Sequence, residues 1–153
     1  MSVTAFWYGY ALVKAFGSTT ATGTPSFDWL SDTIKVALLT SSYTPAQDTH
    51  KFFSEVDSRE VSGSGYTAGG ATLSNKTLSY TAGTNVVMFD NTVDTAWATS
   101  AITARYAVIY KVGTAAATSP LMGYVDFGAT KVSSAGTFTI AWATGGIFTI
   151  TPA

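Results

Sequence analysis

The stretch ITARYAVIYKV, residues 102–112, most narrows what this chain can fold into. In an extended backbone Ile102, Ala104, Tyr106, Val108 and Tyr110 share one face, and Thr103, Arg105, Ala107, Ile109 and Lys111 share the other. β-Branched and aromatic side chains suit a pleated, half-buried surface, while Arg105 and Lys111 bring the second face to water at its ends. A long strand is expected here, with the rest of the chain folded against it.

Shorter stretches repeat the pattern. Residues 27–40, FDWLSDTIKVALLT, place Ile34, Val36 and Leu38 on one face and Lys35, Ala37 and Leu39 on the other, which reads as the first core strand. Further strands are expected at 71–80, 85–89, 92–98, 121–127, 137–142 and 146–151. The separators are turn-forming residues at Asp90-Asn91, 113–120, Gly128-Ala129, 134–136 and Gly145-Gly146. Between the first two strands, Thr44 as N-cap, Pro45 at the first helical position and Gln47 closing a capping box predict a short helix over 45–55. Phe52, Phe53 and Val56, at the end of that helix and just after it, would then cover one end of the sheet. The glycine-rich segment 61–73 predicts a tight loop or bulge with positive φ, and places Tyr66 across the sheet or a neighbouring subunit. The fold class that follows is mainly β: an antiparallel β-sandwich or jelly-roll-like barrel with one short helix.

The N-terminal region reads differently. Residues 5–16, AFWYGYALVKAF, put Phe6, Tyr10, Val13 and Phe16 close to one helical face, so a short amphipathic segment is expected. Residues 17–26, GSTTATGTPS, have the composition of a flexible connector. The organisation expected is therefore an arm and linker over 1–26 and one β-sandwich domain over 27–153. The arm either docks on another subunit or packs back on its own domain. It lacks the basic start of a signal peptide and is too short to span a bilayer, so neither a secretion signal nor a membrane anchor is expected.

Charge then limits the partners. Charged residues are 11% of the chain, against roughly 25% in an ordinary soluble domain, and the eight basic and nine acidic residues leave a formal charge of −1. Copies do not repel one another, and the polar surface must come from hydroxyls, which desolvate at lower cost than charge. That favours an assembly component, expected as a homo-oligomer, a dimer or trimer. Lys and Arg are scattered singly, so no nucleic-acid interface is expected, and the chain contains no cysteine for disulfides or thiolate metal sites.

Catalytic patterns are absent from the spacing. His50 is the only histidine, and Asp48, two residues away, would diverge from it on a helix. Asp90 and Asp94 do not form a calcium loop, and Gly63, Gly65, Gly69 and Gly70 do not match a phosphate-binding loop. Asn75-Lys76-Thr77 matches a glycosylation sequon that carries no information without a secretory signal. We expect no enzyme activity, no catalytic residue, no cofactor and no metal. Trp97, Trp142, Tyr66, Tyr80 and Tyr124 are the residues that would build a sugar-stacking platform on a carbohydrate-binding module; packing in the core or at an interface is the competing use.

Five blocks carry a resemblance in their order along the chain: DWLSDTIKVALLTSSYTPAQDTH at 28–50, GSGYTAGGATLSNKT at 63–77, ITARYAVIYK at 102–111, SPLMGYVDFG at 119–128 and FTIAWATGGIFTI at 138–150. From Asp28 to the C-terminus the chain resembles small structural proteins of tailed bacteriophages, similar in role to head decoration or cement proteins. The resemblance implies a place in the virion, on the outer capsid surface with the major capsid protein as partner, or in a tail or head fibre. It implies no catalytic residue. Phe6, Trp7, Tyr10 and Phe16 on the arm, Trp29 before the first strand and Tyr66 in the glycine-rich loop are the expected interface anchors.

Overall fold

The computed structural model describes residues 4–8 and 28–151. Among them are eight strands: β1 Thr4–Trp7, β2 Ile34–Leu39, β3 Ala71–Thr72, β4 Lys76–Thr81, β5 Val86–Asn91, β6 Thr95–Lys111, β7 Leu121–Ile140 and β8 Phe148–Ile150. They form a five-stranded sheet in the order β1-β7-β6-β2-β3 and a three-stranded sheet in the order β4-β5-β8, with antiparallel pairing throughout. Neither sheet closes on itself, so of the two expected forms the open sandwich is adopted.

One core lies between the sheets. Ile34, Val36 and Leu38 of β2 meet Ile102, Ala104, Ala107 and Ile109 of β6, Val125 and Phe138 of β7, and Phe148 of β8. A second, smaller core covers the opposite face of the large sheet, where Ala37, Leu39, Val108 and Leu121 pack beneath Tyr8, Tyr43, Phe53 and Val56. Each buried aliphatic or aromatic side chain contributes roughly 1.5–3 kcal/mol relative to exposure. The large sheet is thus buried on both faces near β2. This explains why β2 is apolar at nearly every position, with only Lys35 half-buried.

The central strand runs as expected, but its faces do not alternate without interruption. Ile102 and Ala104 lie in the inter-sheet core together with Ala107 and Ile109, while Val108 and Tyr110 face the second core. The switch falls at Arg105: Ala104 pairs with Lys131 and Tyr106 pairs with Asp126, so β7 loops out four residues opposite one. An irregularity of this kind changes which parity of residue faces inward. A second switch falls at Thr99, where φ is +49° and the buried positions pass from Thr95 and Trp97 to Ser100 and Ile102.

Several expected boundaries shift for the same reason. The strands expected at 92–98 and 102–112 are one strand, β6, and those at 121–127 and 137–142 are one strand, β7. Gly128, with φ +74°, and Ala135, with φ +55°, sit at irregularities inside β7 and not at turns between strands. The strand expected at 71–80 divides instead, because β3 pairs with β2 in one sheet and β4 pairs with β5 in the other.

The helix expected over 45–55 does not form. A turn over 46–50 is followed by two 3₁₀ turns, Phe53–Glu55 and Asp57–Arg59. The backbone between them is claimed by a distant segment: Phe53 N–H donates to Ser119 O at 2.8 Å and Leu121 N–H to Lys51 O at 2.8 Å. The Glu55 carboxylate then accepts the Lys51 and Phe52 amides at 2.5 and 2.7 Å. Those groups cannot also serve a helical ladder. Residues 5–7 are extended as well, in β1, where the sequence pattern had predicted a helical segment. The β1–β7 register from Thr4↔Asp126 to Trp7↔Gly123 brings this part of the arm back onto its own sheet.

Candidate assembly surface

The sheet topology leaves backbone groups facing outward. β1 covers β7 only from Gly123 to Asp126, and among the described residues the remainder of β7 has β6 as its one strand partner. Among the described residues, 131–140 of β7 therefore form a long open edge. Along its end Phe138 and Ile140 point into the core, while Thr137 and Thr139 face solvent. A recess of about 240 Å³ lies beside it, floored by Phe127, Phe138 and Ile140 and bordered by Val132, which is 68% exposed. In the second sheet β4 is also an edge strand, with Leu78 and Tyr80 exposed and Tyr80 donating to Asn85 Oδ1 at 2.7 Å.

The anchors expected from the sequence separate into distinct environments. Phe6 is 41% exposed and stacks on Tyr124 with centroids 5.2 Å apart, so it belongs to the surface. Trp7 stacks on Phe148 at 4.1 Å and meets Phe89 edge-on, closing one end of the inter-sheet core. Trp29 is enclosed: it is 3% exposed, lies edge-on to Phe89 and Phe148, and donates its indole N–H to Thr77 O at 2.9 Å. Tyr10 and Phe16 lie outside the described residues. Trp97 is in the core, and Trp142 packs against that core, partly buried, with its indole N–H on Thr95 Oγ1.

Tyr66 is held inside its own chain. Its hydroxyl donates to Glu60 Oε1 at 2.6 Å and accepts the Leu38 amide at 3.0 Å. The same carboxylate oxygen accepts the Gly69 amide at 2.6 Å, and Tyr110 donates to Gly69 O at 2.7 Å. Burial holds the Glu60 carboxyl above its usual range and pushes the Tyr66 hydroxyl up, reinforced by Glu60. Glu60 thus pins the glycine-rich loop. Gly65, Gly69 and Gly70 have the expected positive φ, and a Cβ on Gly70 would meet Val36 O at 2.0 Å. The sequence gives Glu60 no local partner. Its role comes from the bridge between Leu39 and Glu60, which carries it to the start of the loop.

The sequence also conceals a small aromatic relay. Tyr8 and Tyr43 share a hydroxyl–hydroxyl hydrogen bond, and Tyr43 Oη lies 3.3 Å from His50 Nδ1 with the two rings stacked at 5.7 Å. A recess of about 200 Å³ lies over His50, bordered by Ser42, Thr44, Glu55 and Arg59. Burial pushes the Tyr43 hydroxyl up to about 12 and raises Tyr8 further, so both are protonated at neutral pH and linked by their hydrogen bond. Tyr8 thereby ties the end of β1 to the loop after β2. Gln47 Nε2 adds a bond to Trp7 O at 2.7 Å.

Among the described residues no group of three or more His, Asp or Glu side chains converges as a metal site. No helix among them is long and apolar enough to cross a membrane. No protein-family model, curated protein or solved structure matches this chain.

Proposed function

We propose that this chain is a non-enzymatic structural subunit of a tailed-bacteriophage virion, acting as a decoration (cement) protein on the outer face of the major capsid lattice. The observation that carries the proposal is the ordered set of sequence blocks resembling such proteins from Asp28 onward. The physical character of the fold supports it. Two cores on either face of one sheet make a stiff body, and its surface is poor in charge and rich in hydroxyls. Open strand edges present backbone groups that another chain can complete. On a lattice, many modest contacts of this kind add up to firm attachment.

Cryo-electron microscopy of the parent virion tests the proposal. Density for this sandwich repeated across the capsid surface is the expected result, and particles lacking the protein should rupture at lower heat or osmotic stress than complete ones. Density confined to a tail or a vertex fibre, with only a few copies per particle, would replace decoration by a tail or head-fibre role.

A further inference from the structure

We infer that the end of β7 and the residue after it, 137–141, pair with the same segment of a second copy about a twofold axis at Thr139. This rests on the reading of the chain as an assembly subunit and names the surface through which copies join.

Natural sheets guard a free edge with charges, proline, short length or a covering loop. β1, β3 and β8 are short, and the β4 edge carries Lys76. The β7 edge is long, and its last part with the residue that follows it, Thr137-Phe138-Thr139-Ile140-Ala141, contains neither charge nor proline. Its pairing with β6 is regular there, from Phe138↔Trp97 to Ile140↔Thr95, so the backbone is already shaped to accept another strand.

A second copy fits this edge by its sequence. With Thr139 on the axis, Thr139 faces its own counterpart, Phe138 faces Ile140 and Thr137 faces Ala141. Phe138 and Ile140, already buried in their own core, are then opposed on the inner face, and the exposed hydroxyl groups of Thr137 and Thr139 supply the favourable cross-strand contacts on the outer face. Antiparallel pairing about this axis gives both strands the same set of bonds. The formal charge of −1 per chain offers no long-range repulsion, and Lys131 stands outside the paired segment. The recess over Phe127, Phe138 and Ile140 is bordered by the same segment, Thr137 to Ala141. So short a pairing buries less than the roughly 1,000 Å² of a stable free dimer. It is therefore weak in solution and gains strength where copies are held side by side.

The test uses the full chain. Sedimentation of the wild type up to about 1 mM is expected to show a monomer passing to dimer with concentration. Thr139→Glu and Thr139→Lys each place like charges across the axis and are expected to weaken association by about two- to fivefold. Mixing the two variants should restore it, which a folding defect in either could not do. Because the chain has no cysteine, Thr139→Cys provides a second reading. Opposed Cα atoms in antiparallel strands lie about 4.5–5.5 Å apart, within disulfide reach. Ala96→Cys, one strand inward and opposite Thr139, should stay uncrosslinked at about 14 Å from its counterpart. A wild type that remains monomeric, association indifferent to both charges, or crosslinking no faster at 139 than at 96 would overturn the inference. Any of these outcomes would follow if the edge were covered by another segment of the chain or reserved for a capsid subunit. Failure here leaves the virion density test untouched, and a dimer formed by a protein absent from the capsid would refute decoration alone.

Discussion

Gly123→Ala isolates how tightly the two sheets and β1 are fitted together. Gly123 pairs with Trp7 on one side and Ile109 on the other, so it sits inside the sheet where three strands meet. A Cβ there would stand 2.4 Å from Phe148 Cε1, 2.5 Å from Phe148 Cζ and 2.4 Å from the Phe6 carbonyl oxygen. Neither neighbour can step aside cheaply. Phe148 is 3% exposed and stacked on Trp7, and the Phe6 oxygen belongs to the backbone of β1. Overpacking of a core by one carbon costs about 1–3 kcal/mol, and the backbone contact puts this site near the upper end. For a domain of this size each kcal/mol lowers Tm by about 2–4 °C, so a fall of about 5–10 °C is expected in thermal unfolding followed by circular dichroism. Gly83→Ala is the control, since a Cβ at Gly83 meets nothing within 4 Å. Hydrogen exchange should also show faster exchange of the β1 amides in Gly123→Ala. If Gly123→Ala unfolded within about 0.5 kcal/mol of Gly83→Ala, the tight contact between β7, β1 and Phe148 would be refuted.

Three further outcomes follow from the same contacts. Trp29→Ala should cost about 3–5 kcal/mol by opening a cavity between the sheets, measured by urea denaturation; a loss below about 1 kcal/mol would place Trp29 outside the core. Tyr66→Phe removes the donor to Glu60 and the acceptor of the Leu38 amide and should cost about 1–3 kcal/mol, whereas an unchanged midpoint would deny the network its role. Burial raises the folded-state carboxyl of Glu60 above its unfolded value near 4.5, so its protonation favours the folded chain. That contribution is full below the unfolded value and is lost as pH rises through the folded one. The stability of wild type minus that of Glu60→Gln should therefore fall as pH rises from about 4 to 7, and a difference that rises over this window would reverse the assignment.

What the sequence alone determined is local. The alternation in β2 and the glycine loop with positive φ follow from side-chain period and turn chemistry, which act over a few residues. The mainly β architecture follows from the number of such segments. Tertiary structure decided the rest. Gly128 and residues 134–136 carry turn chemistry, yet β6 lies alongside them and converts each into an irregularity within one long strand. Thr44-Pro45-Ala46-Gln47 carries the chemistry of a helix start, yet Ser119 and Leu121 take the hydrogen bonds that a helix would need at 51–53. Glu60, Tyr66 and Gly69 form one network only because the β2 edge gathers them, and Tyr8, Tyr43 and His50 meet only because β1 returns to β7. Backbone groups and buried side chains accept the nearest partner in space, and for Tyr8, Phe53 and Leu121 that partner lies far away along the chain.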